Sequence, residues 1–210
     1  MKRMIWKAFV VVGLLMGVLG LWSSLAQAQS AVEDWAKQQI SEKTGIDPNL
    51  LATLFVTDGS DQLILAFVYI TQEVLDSNLK ADLKQAIAPF VEQKAMLTLV
   101  VPTRHSQFSP MDISFSQGGL VYLITQSQIY PVTDDFQAGE LEANAVSSGV
   151  IMLPEGIDMS RPFEITYRAQ TTTFSLSGSG SPGPSLPSGL LGFFLQFLFL
   201  FFLFPFLIGI

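Results

Sequence analysis

A single histidine limits the acid–base chemistry open to this chain. His105 stands in the segment Thr103-Arg104-His105-Ser106, directly after an apolar run. Histidine-based hydrolysis needs a serine against the imidazole and a carboxylate behind it, and the nearby candidates are Ser106, Ser109 and Asp112. Because no G-x-S-x-G elbow is present, the pattern favours an exposed loop histidine. His105 is therefore a weak catalytic candidate, and the sequence predicts no cofactor.

Two groups of acidic residues could supply oxygen ligands to calcium. The weak metal candidates are Asp58 and Asp61 in one group, and Asp134 and Asp135, followed by Glu140 and Glu142, in the other. Neither group follows the spacing of an EF-hand loop. Asp58 and Asp61 are also typical of a hairpin turn, and glutamates two residues apart on a strand commonly face water. The sequence therefore predicts no metal site with any specificity.

Three other motif matches fail on their context. Residues 178–183 spell G-x-G-x-x-G, but a dinucleotide site places this motif between a strand and a helix, whereas here it lies in a Ser/Gly/Pro-rich stretch. Ser77 to Lys80 spells the S-x-x-K of penicillin-recognising enzymes, and Lys43 to Gly45 spells their K-T-G element. The K-T-G element precedes the S-x-x-K here, which is the reverse of the order in that family. We expect Gly45 to end a helix, and Ser77 to lie near the N-terminus of the following helix.

The charge balance argues against nucleic-acid binding. The chain of 210 residues has 18 acidic and 11 basic side chains and no cysteine, which excludes disulfide scaffolds and thiol catalysis. Lys2, Arg3 and Lys7 belong to the first 28 residues, which contain no acid, so eight basic residues face all 18 acidic ones afterwards. Phosphate backbones are repelled by such a chain.

The N-terminal residues 1–28 have the layout of a cleaved signal peptide. A basic start precedes an apolar run from Ala8 to Trp22, and Ala26-Gln27-Ala28 supplies the small residues that a signal peptidase accepts. The run is shorter than the roughly 20 residues that a spanning helix needs. We expect cleavage after Ala28, directed by Ala26 and Ala28, and export of the remainder.

The C-terminal residues 190–210 are predicted to form a transmembrane helix. They are rich in phenylalanine, carry no charge and are long enough to cross a bilayer. Residues 175–189 contain only Ser, Gly, Pro and Leu, which is typical of a flexible tether. An alternative is that the tail is a processing signal replaced by a lipid anchor. Both readings place a domain of residues 30–174 on the extracytoplasmic side of a membrane.

The first half of that domain alternates helix and strand signals. Val32, Trp35, Ala36 and Ile40 share one face of a predicted helix. Strands are predicted at residues 51–56 and 63–70, joined as a hairpin across Asp58-Gly59-Ser60-Asp61. Apolar residues at helical spacing between Leu75 and Val91, followed by the apolar run 95–101, predict a βαβ unit within a sheet of mixed direction.

The second half shows strand signals without helix signals. Strands are expected at 113–116, 120–125, 140–146, 150–153, 163–167 and 171–174. Gly118-Gly119 and Ser148-Gly149 are predicted to form turns. The expected fold class is α+β: an N-terminal helix, a β-hairpin and a βαβ unit, then an antiparallel β-rich half and the C-terminal transmembrane helix.

These observations favour an exported, membrane-tethered domain of a non-enzymatic binding or structural type at the cell envelope. The expected partners are the membrane, through residues 190–210, and an envelope protein that meets the β-rich half by edge pairing or through an apolar patch. The alternative is a membrane-tethered hydrolase that uses His105. A third hypothesis makes the Phe-rich tail the functional part, packed into an oligomer.

Overall fold

The computed structural model describes Glu33, Asp34 and residues 36–176, which form a mixed α+β fold with mostly antiparallel sheets. A five-stranded sheet has helices on one face and a four-stranded sheet on the other. Each element thereby buries its apolar side against another layer. The α+β class predicted from the sequence is confirmed at this level.

The helices are short and the strands dominate. Helix α1 includes Glu33, Asp34 and residues 36–44, and the other α-helices of the described residues are α2 (Gln72–Asp76) and α3 (Ala81–Ile87). The strands are β1 (Leu51–Asp58), β2 (Asp61–Tyr69), β3 (Ala95–Pro102), β4 (Ser106–Phe108), β5 (Ile113–Gln117), β6 (Leu120–Leu123), β7 (Ile129–Pro131), β8 (Gly139–Leu141), β9 (Ser147–Met152), β10 (Phe163–Tyr167) and β11 (Gln170–Phe174). Their order is β1-β2-β3-β9-β7 in the large sheet, β11-β10-β5-β6 in the second and β4-β8 in a small third sheet.

The predicted hairpin at the start of the domain is confirmed. Asp58 pairs with Asp61 at its tip, and Gly59 has a φ of 59°, a conformation that glycine adopts without steric cost. Before the hairpin, Gly45 ends helix α1 with a φ of 74° and donates its N–H to the Ser41 carbonyl at 2.8 Å, as its C-cap prediction requires.

The predicted βαβ unit is wrong, because β2 and β3 are adjacent and antiparallel, with Leu63 opposite Pro102 and Tyr69 opposite Met96. Every residue of β3 is buried. A continuous apolar run indicates that a strand is buried on both faces of its sheet. A central antiparallel strand between two layers is buried in this way as well, so the run does not distinguish it from a parallel strand. All strand pairings in the described part of the chain are antiparallel, so the expected mixture of directions is also wrong.

The connection between β2 and β3 explains this direction. The helical periodicity predicted one helix, but the chain breaks between residues 77 and 80 into α2 and α3. Two short helices lead away and back, so β3 starts beside the end of β2, and Ile70 donates its N–H to the Ala95 carbonyl at 3.0 Å. Ser77 closes α2 instead of opening the next helix, because its hydroxyl donates to the Val74 carbonyl at 2.6 Å.

In the second half, the Gly118-Gly119 turn is confirmed, whereas the predicted turn at Ser148-Gly149 is wrong. Both of those residues lie inside β9, where Gly149 pairs with Thr98 of β3. Glycine is needed there because Phe136 packs directly on its backbone: an added Cβ would lie 2.6 Å from the Phe136 Cγ. The predicted strand 140–146 shortens to Gly139–Leu141, and the short strands β4 and β7 were not predicted.

Two apolar cores follow from the alternation of side chains along the large sheet. One core lies between the two large sheets and includes Phe67 and Phe115, both fully buried. The other lies between the large sheet and the helices and includes Leu97 and Ile87. Since successive residues of a strand point to opposite faces, the same strands build both cores.

Several predictions concern residues outside those that the structure describes. They are the signal peptide 1–28 with its cleavage residues Ala26 and Ala28, the helix positions Val32 and Trp35, the tether from residue 177 with the G-x-G-x-x-G match, and the transmembrane helix 190–210. Within the described residues, none of the helices has the length and apolar character that a bilayer crossing requires.

Candidate functional site

His105 lies between two carboxylates at the end of the molecule where β4 pairs with β8. Its Nε2 is 3.2 Å from Glu140 Oε2, and its Nδ1 is 3.5 Å from Glu142 Oε2. The pairing of β4 with β8 places Gln107 opposite Glu140, and the Gln107 amide donates to the second oxygen of that carboxylate at 3.0 Å. About half of the His105 side chain (53%) is exposed.

This arrangement raises the pKa of His105. The main cause is the hydrogen bond to the Glu142 carboxylate, and the charges of Glu142 and Glu140 act in the same direction. An imidazolium with both nitrogens directed at carboxylates is a donor and not a base toward a serine.

Two of the three nearby residues expected for a triad, Ser106 and Asp112, have their side chains engaged elsewhere. The Ser106 hydroxyl donates to the Arg104 carbonyl at 2.9 Å and accepts from the Gln62 N–H at 3.1 Å. The Ser109 N–H donates to the Tyr167 hydroxyl at 3.3 Å, and Asp112 accepts from Arg168 at 3.3 Å. The geometry therefore shows His105 in a carboxylate cluster, with the proton of Ser106 directed away from it.

Asp58 and Asp61, the first pair of candidate metal ligands, face a guanidinium. Arg168 Nη1 lies 2.7 Å from Asp61 Oδ2 and 3.4 Å from Asp58 Oδ2, and its Nη2 donates to the Gln107 carbonyl at 3.1 Å. The hydrogen bond from Arg168 lowers the pKa of Asp61. The cation at this point is the protein's own arginine, which ties the β1–β2 turn to the β10–β11 turn.

Sequence reasoning missed Arg168. The residue occupies a turn with a φ of 52°, and its partners lie far away along the chain. A local sequence pattern therefore does not indicate the contact. The second pair of metal candidates is separate from it: Asp134 is exposed, and Asp135 is half-buried with an Oδ1 that makes no hydrogen bond to any described residue. In the described ranges, no three His, Cys, Asp or Glu side chains stand close enough to hold a metal ion together.

The second notable surface is the outer edge of the four-stranded sheet. Strand β6 pairs with β5 on one side only. Leu120, Val121 and Leu123 are exposed to 62%, 67% and 75%. Tyr122 is half-buried: it packs against the core between the sheets, and its hydroxyl donates to the Gly156 carbonyl at 3.4 Å. Apolar side chains on an unpaired strand form a surface suited to adding another strand.

A shallow furrow on the outer face of this sheet adjoins the β6 edge. Its lining includes Val121, Ser116, Pro162, Glu164 and Thr173. Ser116 donates its hydroxyl to Glu164 Oε2 at 2.7 Å, which holds the carboxylate against the sheet. The furrow and the edge together give one continuous surface on which small polar and apolar groups are exposed.

The other strand edges of the described part are short, charged or covered. Strand β7 has three residues and ends at Pro131, which has no N–H to offer a new strand. Strands β4 and β8 also have three residues each and carry the Glu140 carboxylate. Strand β11 lies against β1, and Gln170 donates to the Thr57 carbonyl at 3.2 Å. Proteins normally protect edges in these ways. Strand β6 is also short, with four residues, but it carries no charge and no proline.

Comparison with known proteins gives no relative. No protein-family model, no curated protein and no solved structure matches this chain.

Proposed function

We propose that this chain is an exported domain, held at the cell envelope by its C-terminal apolar residues, that binds a partner through the β6 edge and performs no catalysis. The observation that carries the proposal is the exposed apolar strand β6, with Leu123 exposed to 75%. A protein that pairs an extended segment along such an edge gains backbone hydrogen bonds and apolar contacts at once.

The charges around the edge support a protein partner of apolar or neutral character. Residues 113–133, which include β5, β6 and β7, contain no charged side chain. The nearest carboxylate on the outer face is that of Glu164, and it is engaged by Ser116. A neutral strand of a partner would therefore meet no charged side chain on β6 itself.

A photo-crosslinking amino acid at position 123 tests the binding half of the proposal. The full chain carrying this probe is irradiated in membranes of expressing cells, and a chain with the probe at Met111 serves as the control, because Met111 is also exposed (45%) but lies off the edge. We expect one defined adduct from position 123 and none from position 111. The adduct is expected to fall at least tenfold when Val121→Lys places a charge on the strand.

The outcomes separate clearly. Equal or absent adduct formation at both positions would show that the β6 edge binds nothing under these conditions. Retention of the adduct in the Val121→Lys chain would contradict docking on the edge itself. Val121→Lys should leave the melting temperature within about 2 °C of the original, since a substitution at an exposed site changes stability little.

The intact mass of the membrane-extracted protein tests the anchoring half. A mass that matches Gln29 to Ile210 supports a cleaved signal peptide and a retained apolar anchor. Loss of residues 190–210 with the mass of an added lipid would replace the membrane span by a lipid anchor. An unmodified protein recovered only from the soluble fraction would refute anchoring of either kind.

A further inference from the structure

We infer that the partner at the β6 edge is a second copy of this chain, joined by antiparallel β6–β6′ pairing about a two-fold axis. This inference rests on the proposed function, since it identifies the occupant of the same edge. Three features carry it: the charge pattern of the chain, the register that the β5–β6 hairpin imposes, and the side chains that this register brings together.

The charge pattern makes the edge the place where two copies can meet. Beyond residue 28 the chain has 18 acidic against eight basic side chains, so two copies repel each other over most of their surfaces. The β6 edge belongs to the uncharged stretch 113–133. Like charges directly opposite each other destabilise a strand pair, and the side chains of this stretch carry no charge.

The hairpin turn determines which groups of β6 are free. Gly118 and Gly119 have φ values of 60° and 83°, which fit a two-residue type I′ turn between the paired residues Gln117 and Leu120. In such a turn the flanking residues form a hydrogen-bonded pair, and antiparallel pairs then alternate in type along the strand. The N–H and C=O groups of Leu120 and Tyr122 therefore point to β5, and those of Val121 and Leu123 point to the free edge.

Two-fold symmetry then leaves one register that uses the whole strand. A two-fold axis that relates two antiparallel neighbouring strands is perpendicular to the sheet, so the outer face of one copy continues into the outer face of the other. Paired residues must then point to the same face, which requires that one residue of β6 pairs with its own copy at the axis. Centring on Tyr122 places Val121 opposite Leu123′ and Leu123 opposite Val121′. Both pairs are of the hydrogen-bonded type, and the two sheets join into one with the order β11-β10-β5-β6-β6′-β5′-β10′-β11′.

The side chains agree with this register. Val121 and Leu123 are exposed to 67% and 75% in the single chain. In the pair, Val121 of each copy would pack against Leu123 of the other copy on the outer face. The two copies of Tyr122 meet at the axis on the inner face. Four residues per copy bury less than the roughly 800 Å² per partner of a standard interface, so the free proteins should associate weakly. Tethering to one membrane supplies the high local concentration that a weak pairing needs.

The absence of cysteine from the chain allows a direct test by oxidative cross-linking of the full chain in membranes. Tyr122→Cys should form a disulfide with its own copy, because residues of a non-hydrogen-bonded pair have Cα atoms about 4.5 Å apart, within the range for a disulfide. Leu120→Cys is the matched control: it is also on the edge strand and well exposed, but its own copy lies about four residues away along the strand, roughly 13 Å.

A second pair of variants keeps the inference testable if Tyr122→Cys destabilises the protein, since Tyr122 also packs against the core. Differently tagged chains with Val121→Cys and Leu123→Cys should cross-link to each other when mixed. Each should do so far less with itself, because its own copy is only a diagonal neighbour at about 7–8 Å. We expect at least a tenfold excess of the mixed dimer over either self-dimer.

The failures of the two proposals are distinguishable. If no cysteine variant cross-links to a copy while the photo-adduct at position 123 contains a different protein, the second-copy inference is overturned and the binding function stands. Equal self-cross-linking of Leu120→Cys and Tyr122→Cys would indicate random collision and would also overturn the inference. Loss of the photo-adduct together with all cross-links would refute both.

Discussion

Gly149→Ala is expected to destabilise the protein by about 2 kcal/mol or more, although it adds one methyl group. The added Cβ would lie 2.6 Å from the Phe136 Cγ and closer still to two other ring carbons. Carbon atoms in contact are normally about 3.5–4.0 Å apart, so the ring would have to move by at least about 1 Å. Such overpacking in a well-packed core typically costs 1–3 kcal/mol.

Phe136 has little room for that movement. It is fully buried, and its ring centroid lies 5.5 Å from that of Phe108, which in turn stacks on Tyr167 at 5.9 Å. A double-mutant cycle isolates the clash. Phe136→Ala alone should cost about 3–5 kcal/mol, and Gly149→Ala added to it should cost less than about 0.5 kcal/mol, because the methyl group then enters the vacated space.

Urea unfolding of the four proteins, followed by circular dichroism, measures these free energies. The comparison needs similar m-values across the set, since a changed m-value would report a changed unfolded state. If Gly149→Ala costs the same with and without the Phe136 ring, the loss comes from the strand backbone and not from the clash. A cost below about 0.5 kcal/mol in the original background would refute the packing argument altogether.

Three further predictions concern polar groups. Arg168→Ala should lower the free energy of unfolding by about 2–3 kcal/mol at pH 7, because it leaves Asp61 and its neighbours without their cation. Since the folded-state pKa of Asp61 is lowered, this difference should hold above about pH 4 and shrink as the pH falls through that pKa, which urea unfolding at several pH values measures. His105 should titrate above its usual pKa of about 6.5 by NMR, and Glu142→Gln should lower that pKa. The stabilisation that protonated His105 gives to the folded protein is present below pH 6.5 and is lost as the pH rises through the raised pKa. Thr98→Val should be neutral or stabilising by up to about 1 kcal/mol in thermal unfolding, because the buried Thr98 Oγ1 has no hydrogen-bond partner among the residues that the structure describes.

The parts of the fold that the sequence predicts correctly are those fixed by neighbouring residues. The β1–β2 hairpin follows from Asp58-Gly59, where the turn type and the alternation on both sides agree, and the structure pairs Asp58 with Asp61. The same holds for β10, whose bounds match the prediction, and for the glycine turn before β6. Local steric preference and local burial decide these elements, and both are readable in a short window.

The errors occur where distant residues decide. The direction of β3 depends on the break between α2 and α3, which apolar spacing alone does not show, because residues on both sides of the break still contribute to one core. Gly149 resembles a turn residue until the fold brings Phe136 onto its backbone. Arg168 meets Asp61 only after two sheets have packed, so neither partner carries a signal for the other.

The carboxylate contacts of His105 and Arg168 differ from the β6 edge in whether the exposed groups have partners within the chain. Around His105 and Arg168, five carboxylates share two cationic side chains of the same chain, and the contacts of Arg168 stabilise the packing of the two turns against each other. At β6, three apolar side chains are exposed on a strand that pairs on one side only. A lysine at Leu123 would protect this edge at little cost in stability, since the side chain is 75% exposed. The proposed use of this edge for binding would account for three exposed apolar residues at a place where one charge would protect the edge.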